Sequence, residues 1–232
     1  MQNKTIGLIG GIGWASTLEY YRLINESVVA RMGPTHSARI VLSSLNQFDF
    51  TSRAAEDGTD SIVEFLVAEA ARLQAAGADC LLLCANGAHR FAAQFVPRIA
   101  LPFISIVDET SKQVQQSGVK RVGLLGVKQT MSGSFYHDSL QRFGIETVVP
   151  SAADQDVIHD IIYRELVHGI MTEPSRAIFI GIIGKFAEQG IDAVILGCTE
   201  IPLLIEPHHV DVKLFSTTAI HCNAAVDFAF AG

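Results

Sequence analysis

Four short stretches of this chain carry side chains able to do chemistry. The first is Gly197-Cys198-Thr199-Glu200, which follows the apolar run 193–196. A thiol at the end of a buried strand lies near main-chain amides and a polar pair, and a thiolate is a competent base toward a carbon acid. Thr199 and Glu200 are poor core residues, so the stretch reads as a site and not as packing. Local dipoles there are expected to lower the thiol pKa. The second is Cys84-Ala85-Asn86-Gly87-Ala88-His89, after the run 80–83. Asn86 and Gly87 are candidate substrate ligands, and Cys84 and His89 are candidates for a direct chemical role. A lone His is more often a satisfied structural residue, however. The third is Gly10-Gly11-Ile12-Gly13, between a strand and a helix. Gly11, Ile12 and Gly13 form a turn whose amides can face a carboxylate near the helix N-terminus, with Ser16 or Thr17 as its cap. The fourth is 126–130, where Thr130 follows the run 121–125.

Other chemistries fit poorly. A dinucleotide fingerprint needs a third glycine where Ser16 stands, and no acidic residue closes a second strand about twenty positions on. Cys80, Cys84, Cys198 and Cys222 lack metal-ligand spacing, and His208-His209 has no thiol or carboxylate partner at a useful interval. No metal and no other cofactor is expected. Without an export signal the thiols read as reduced and the protein as cytoplasmic. The 17 Lys and Arg are scattered and the net charge is −7, which argues against nucleic acid. No apolar run approaches the roughly 18 residues of a membrane span.

The elements that must position these residues alternate. Strands are expected at 4–9, 38–42, 80–83, 103–106, 121–125, 146–149, 193–196 and 212–215. Helices are expected at 16–31, 59–76, 110–117, 131–142, 154–168, 175–189 and 218–230. The strands are continuously apolar, as buried parallel strands are, so the fold class is α/β with mainly parallel sheets flanked by helices. The chain also repeats. Residues 76–86 resemble 189–199, aligning Ala85 with Cys198 at an offset of 113, and Gly7–Gly10 resembles Gly123–Gly126 at 116. Two similar α/β halves are expected: 1–105, joined by the C-terminal segment 212–232, and 106–211. Ligands of open α/β sheets bind beyond the strands' carboxyl ends, so the active site is expected in a cleft between the halves.

The stretches 7–25, His36-Ser-Ala38, Gly123–Gly126, Thr130-Met131, Phe135-Tyr136, Glu165-Leu166, Gly197–Leu204 and Ile220-His221 together resemble the aspartate/glutamate/hydantoin racemase superfamily, closest to its aspartate and broad-specificity amino-acid branch. The resemblance spans nearly the whole chain. It implies an isomerase that works without pyridoxal phosphate, in which one residue removes the α-proton and another returns a proton to the opposite face. A homodimer is expected. Cys198 matches the second-half base. The first-half pattern is Cys or Thr followed by Asn-Thr-x-His, and here it reads Ala85-Asn86-Gly87-Ala88-His89, so the first base is missing. The substrate implied is a small amino acid such as aspartate or glutamate, held by Gly11, Ile12, Gly13, Asn86, Gly87, Thr130, Thr199 and Glu200. Two other readings remain: a one-thiol lyase such as a decarboxylase, and a carboxylate-binding protein with impaired catalysis.

Overall fold

The computed structural model describes residues 4–56 and 58–231. The chain runs β1 (Ile6–Gly10), α1 (Trp14–Met32), β2 (Ile40–Ser44), α2 (Gln47–Ala55), α3 (Asp60–Ala75), β3 (Cys80–Leu83), a 3₁₀ turn (Gly87–Phe91), α4 (Ala92–Phe95) and α5 (Ile106–Gln116). It continues through β4 (Arg121–Leu125), α6 (Lys128–Ser132), α7 (Ser134–Arg142), β5 (Glu146–Val148), α8 (Ala152–Arg164), α9 (Glu173–Glu188), β6 (Ala193–Leu196), α10 (Ile201–Leu204), β7 (Lys213–Ser216) and α11 (Thr217–Phe230). Among the described residues no helix is long and apolar enough to cross a membrane.

The chain divides into two compact units. The second is Val107–Ile220, and the first is everything up to Ile106 together with the return from His221. In the first, β2, β1 and β3 form a parallel sheet in that order, and Phe103 adds a single parallel bridge to Leu81. In the second, the order is β5-β4-β6-β7, again parallel. The expected α/β class with two helix-flanked parallel sheets is what forms. The expected boundary is corrected at one end. β7 pairs with β6 along 193–196 and so belongs to the second unit, which makes the returning segment 221 onward and not 212–232.

Parallel strands are buried on both faces, and their apolar side chains divide between two layers. In the first unit Ile6, Leu8, Cys80, Leu82 and Cys84 pack with Tyr20 and Ile24 of α1 and with Cys222, Ala225 and Val226 of α11. Ile9, Leu81 and Leu83 face the other way, onto Leu66 and Leu73 of α3 and onto Phe91 and Phe95. This alternation fixes which strand-end residue faces which layer. In the second unit Leu125, Val194 and Leu196 pack with Ile158, Ile162, Phe179, Ile183 and Phe186 of α8 and α9.

Three local expectations differ. Phe103 makes only its one bridge because Ile106 already begins α5. β2 starts at Ile40, since Ala38 N–H turns aside to Asn25 Oδ1 at 3.0 Å. Helix α2 had no apolar period to announce it, as Phe50 is its buried residue; Asn46 caps it, its Oδ1 accepting from Phe48 N–H at 2.9 Å.

Candidate active site

Each unit presents the ends of its two central strands side by side. In the second unit these are β4, leading to Gly126-Val127, and β6, leading to Gly197-Cys198. Gly197 N–H donates to Leu125 O at 2.7 Å, closing the strand pair one residue beyond the ladder. A Cβ at Gly197 would lie 2.7 Å from that same carbonyl and 3.0 Å from Thr130 Cγ2, so only glycine allows this approach. The chain then leaves the sheet and exposes Cys198 partly, with Thr199 and Glu200 buried behind it.

Glu200 gathers the polar atoms. Its Oε2 accepts from Cys198 Sγ at 2.9 Å and from Thr199 Oγ1 at 2.7 Å. The thiol pKa is therefore raised well above its ordinary value, first by burial and then by the Glu200 charge and hydrogen bond. The backbone N–H groups of Glu200 and Thr199 pull the other way and lose. The expectation that local dipoles lower this pKa is thus corrected: burial, with a carboxylate at hydrogen-bond distance, outweighs two amides. At neutral pH Cys198 holds its proton and shares it with a carboxylate. Thr130 is fully buried against Gly126 and Gly197, and its hydroxyl has no hydrogen-bond partner among the described residues.

The first unit shows the corresponding place with different chemistry. β1 and β3 are neighbours, and Cys84 N–H donates to Ile9 O at 2.9 Å. Ala85 is half-buried and packs toward the α3 layer, whereas Cys84 points into the α1–α11 core. Cys84 is fully buried there, and burial alone pushes its thiol pKa up. A thiol so placed faces the core and not the strand end. His89 is likewise held within the fold. Its Nδ1 lies 2.9 Å from Ala85 O and its Nε2 accepts from Ile106 N–H at 3.3 Å, so the neutral ring is held by the backbone at both nitrogens. Asn86 is buried and its carbonyl accepts from His89 N–H, while Gly87 opens the 3₁₀ turn.

The glycine turn also differs in detail. Gly11 has φ +77°, and a Cβ there would fall 2.1 Å from Leu45 O, so glycine is obligatory. Its N–H donates to Thr17 Oγ1 at 2.8 Å, and that hydroxyl donates on to Gly13 O at 3.1 Å. Gly11 N–H is therefore committed inside the turn and not offered to a carboxylate. Helix α1 begins at Trp14, two residues ahead of the expected start, so neither Ser16 nor Thr17 caps it.

Two polar groups that the sequence offers only as part of the family resemblance, with no role, prove to be buried. His221 is fully buried, with Nε2–H to Ile104 O at 2.8 Å and Nδ1 accepting from Tyr20 Oη–H at 2.7 Å. Burial lowers its pKa to about 3, helped by neighbouring His89, whose ring centroid is 5.6 Å away. In the second unit Tyr136 is fully buried, its pKa pushed up by that burial, and nearby Thr217 Oγ1 donates to Leu196 O, the last residue of β6, at 3.0 Å. For His221 the available signal is a lone His in the largely apolar run of α11; Tyr136, in a polar helix, gives no such signal. Among the described residues no group of three or more His, Cys, Asp or Glu converges to hold a metal.

Paired parallel α/β units, one ending its third strand in a thiol–carboxylate pair, define the class. The chain matches the Asp/Glu/Hydantoin racemase family over residues 9–225 and belongs to it. It is therefore of a racemase, hence isomerase, family. Among solved structures it resembles a Yersinia pestis protein put forward as an Asp/Glu racemase, at 39% identity and TM-score 0.91, covering 97% of this chain and 99% of that one. An aspartate racemase homologue from Pyrococcus horikoshii OT3 gives 31% identity and TM-score 0.86, covering 97% and 99%. The broad specificity amino-acid racemase RacX of Bacillus subtilis is 20% identical over 95% of this chain and 96% of its own.

Proposed function

We propose that this protein acts without pyridoxal phosphate at the α-carbon of a small amino acid such as aspartate or glutamate, with Cys198 as proton donor and acceptor. The observation that carries this reading is the Cys198 thiol, half-buried at the end of β6 and hydrogen-bonded to Glu200. A protonated thiol can deliver a proton to a planar carbanion. In the reverse direction Glu200 takes the thiol proton as the thiolate takes the α-proton, so no free charge is created in a desolvated place. The buried hydroxyl of Thr130 and the Asn86 amide are assigned to substrate polar groups. So are Ile12, Gly13, Gly87 and Thr199. Gly11 shapes the turn through its backbone.

On this reading the first-half base is replaced by Ala85, and neither Cys84 nor His89 compensates. Cys84 faces the core, and His89 is held by Ala85 O and Ile106 N–H. This favours a second reading, a one-thiol lyase that protonates an enolate from one face after decarboxylation. α-Proton exchange in heavy water, run across D- and L-amino acids and substituted malonates, tests both. Exchange into an amino acid that disappears in Cys198→Ser supports the first reading. Turnover of a malonate alone supports the second. Neither, with ligand binding retained, leaves a carboxylate-binding protein and overturns both.

A further inference from the structure

A cavity of about 410 Å³ opens on the second unit, lined by His137, Gln141, Gly144, Ile145, Glu146 and Thr147. Small-molecule sites typically measure roughly 300–1,000 Å³. The groove runs between α7, which supplies His137 and Gln141 one turn apart, and β5, the edge strand of its sheet. It is separate from the Cys198 thiol. Strand β4 stands between β5 and β6, and the register sets Thr147 level with Val122 and Gly123 level with Val194. Cys198 comes four residues after Val194, at the far end of the sheet, so the two places are on the order of 15 Å apart along the strands alone.

The floor of the groove is main chain. Gly144 has no side chain, and nothing stands within 4 Å of where its Cβ would be. The Ile145 side chain is buried, so what Ile145 turns to the cavity is its backbone. The ladder fixes how that backbone points. Glu146 N–H donates to Lys120 O at 2.8 Å, toward β4. The peptide is trans, so Ile145 C=O points the opposite way, out of the sheet. In this parallel register Glu146 and Val148 bond β4, and Thr147 turns both its N–H and its C=O outward. Read along the edge, the strand offers an acceptor, a donor and an acceptor: Ile145 C=O, Thr147 N–H and Thr147 C=O. β5 has only three residues, which is too short to template a further strand.

We infer that this groove binds a flat aminopurine of the adenine type along the outer edge of β5. The complement of acceptor–donor–acceptor is a ring nitrogen that accepts, flanked by N–H donors. Adenine presents its exocyclic amine beside such a nitrogen, and 2,6-diaminopurine presents an amine on both sides of it. Hypoxanthine carries an oxygen and a ring N–H at those places, so acceptor would meet acceptor and donor would meet donor. The wall opposite the strand suits a ring, because His137 and Gln141 both end in planar groups. His137 is held in place by its Nε2–H, which donates to Met131 O at 2.8 Å.

Calorimetric titration of the full chain with the three free bases tests this. Adenine should bind with a dissociation constant of roughly 1 mM or below. 2,6-Diaminopurine should bind about tenfold tighter and hypoxanthine about tenfold weaker, each difference reading about one hydrogen bond gained or lost. Thr147→Pro deletes the outward N–H and leaves the bonds to β4 in place, so it should weaken adenine about tenfold. Gln141→Trp, at an exposed position of α7, fills the groove and should abolish binding. It keeps the test decisive if circular dichroism shows that Thr147→Pro misfolds. No heat of binding with adenine up to its solubility limit overturns the inference. So does hypoxanthine binding as tightly as 2,6-diaminopurine, or adenine binding that survives Gln141→Trp.

Discussion

Strands β3 and β6 occupy the same place in their sheets, each bonded to the strand that opens its half. Both are four apolar, fully buried residues, both leave the sheet into a short helical turn, and Leu81 and Val194 hold the same register position next to Phe103 and Leu214. Their ends differ in what they offer. The β6 end presents a thiol bonded to a carboxylate and a hydroxyl. The β3 end presents a methyl group whose carbonyl is tied to an imidazole. Packing dictates the strands and leaves the residue just past them free to vary, so one scaffold can offer different side-chain chemistry at its two strand ends.

Under the proposed function the largest effect is expected from removing the Cys198 thiol. Cys198→Ser should lower α-proton exchange by about 10²–10⁴-fold, because a hydroxyl is a far weaker acid than a thiol. Thermal unfolding should move little, since the change is nearly isosteric at a half-buried position. Retained exchange would make β6 no more reactive than β3 and remove the contrast.

In the first unit the buried imidazoles should govern stability. His221 titrates near 3 when folded, against an ordinary 6.5. The unfolded chain therefore binds more protons between those values. The stabilisation is whole above about pH 6.5 and is lost as pH falls toward 3, on the order of 5 kcal/mol in all. His221→Gln keeps a donor for Ile104 O and an acceptor for Tyr20 but does not titrate. Melting temperatures followed from pH 7 to 4 should fall less steeply in this variant. An unchanged slope would show that the histidine is not held neutral.

Much of this contrast was legible in the sequence, and the reasons are physical. Buried parallel strands must be apolar along their length, so β1, β3, β4 and β6 and the offset that aligns Ala85 with Cys198 could be read directly. The strand period also placed Cys84 on the face opposite Ala85. Less was legible where tertiary partners decide. Nothing in Gly197–Glu200 says how far the thiol is desolvated or which way the Glu200 carboxylate turns, so the sign of the Cys198 shift is not legible there. The sequence distance from Gly11 to Thr17 hides a bond that consumes an amide. β7 follows the chain into the second sheet because Lys213 N–H meets Asp192 O, a pairing local pattern does not reveal.

A smaller effect should come from the carboxylate that distinguishes the β6 end. Glu200→Gln removes the charge, the largest contribution after burial to the raised Cys198 pKa. The pH midpoint for alkylation of Cys198 by iodoacetamide should therefore move down, making the thiolate more available. Exchange should nonetheless fall, by about 10- to 100-fold, because the amide cannot take the thiol proton. A faster enzyme with the same shifted midpoint would mean that Glu200 only suppresses the thiolate.

The smallest effect, and the closest test of the comparison, is to make the two ends alike. A planar carbanion has two faces, and one group that removes and returns a proton on the same face gives exchange without inversion. With Cys198 alone, one enantiomer should exchange its α-proton faster than it inverts. Ala85→Cys places a thiol at the position equivalent to Cys198, on the α3 side of the strand and away from buried Cys84. Space is not the obstacle, because Ala85 is only half-buried and Gly87 next to it has open room around its backbone. Chemistry limits the gain. No carboxylate stands two residues on, where Glu200 serves Cys198 and Gly87 is found here. The new thiol would have no partner to receive its proton, so inversion relative to exchange should rise only several-fold. Adding Gly87→Glu to Ala85→Cys should raise it further if the pair is what confers reactivity. Chiral chromatography alongside proton NMR in heavy water measures both rates in one sample. If wild type already inverts as fast as it exchanges, a second base exists outside the β3 end, and the difference between the two strand ends does not govern the reaction.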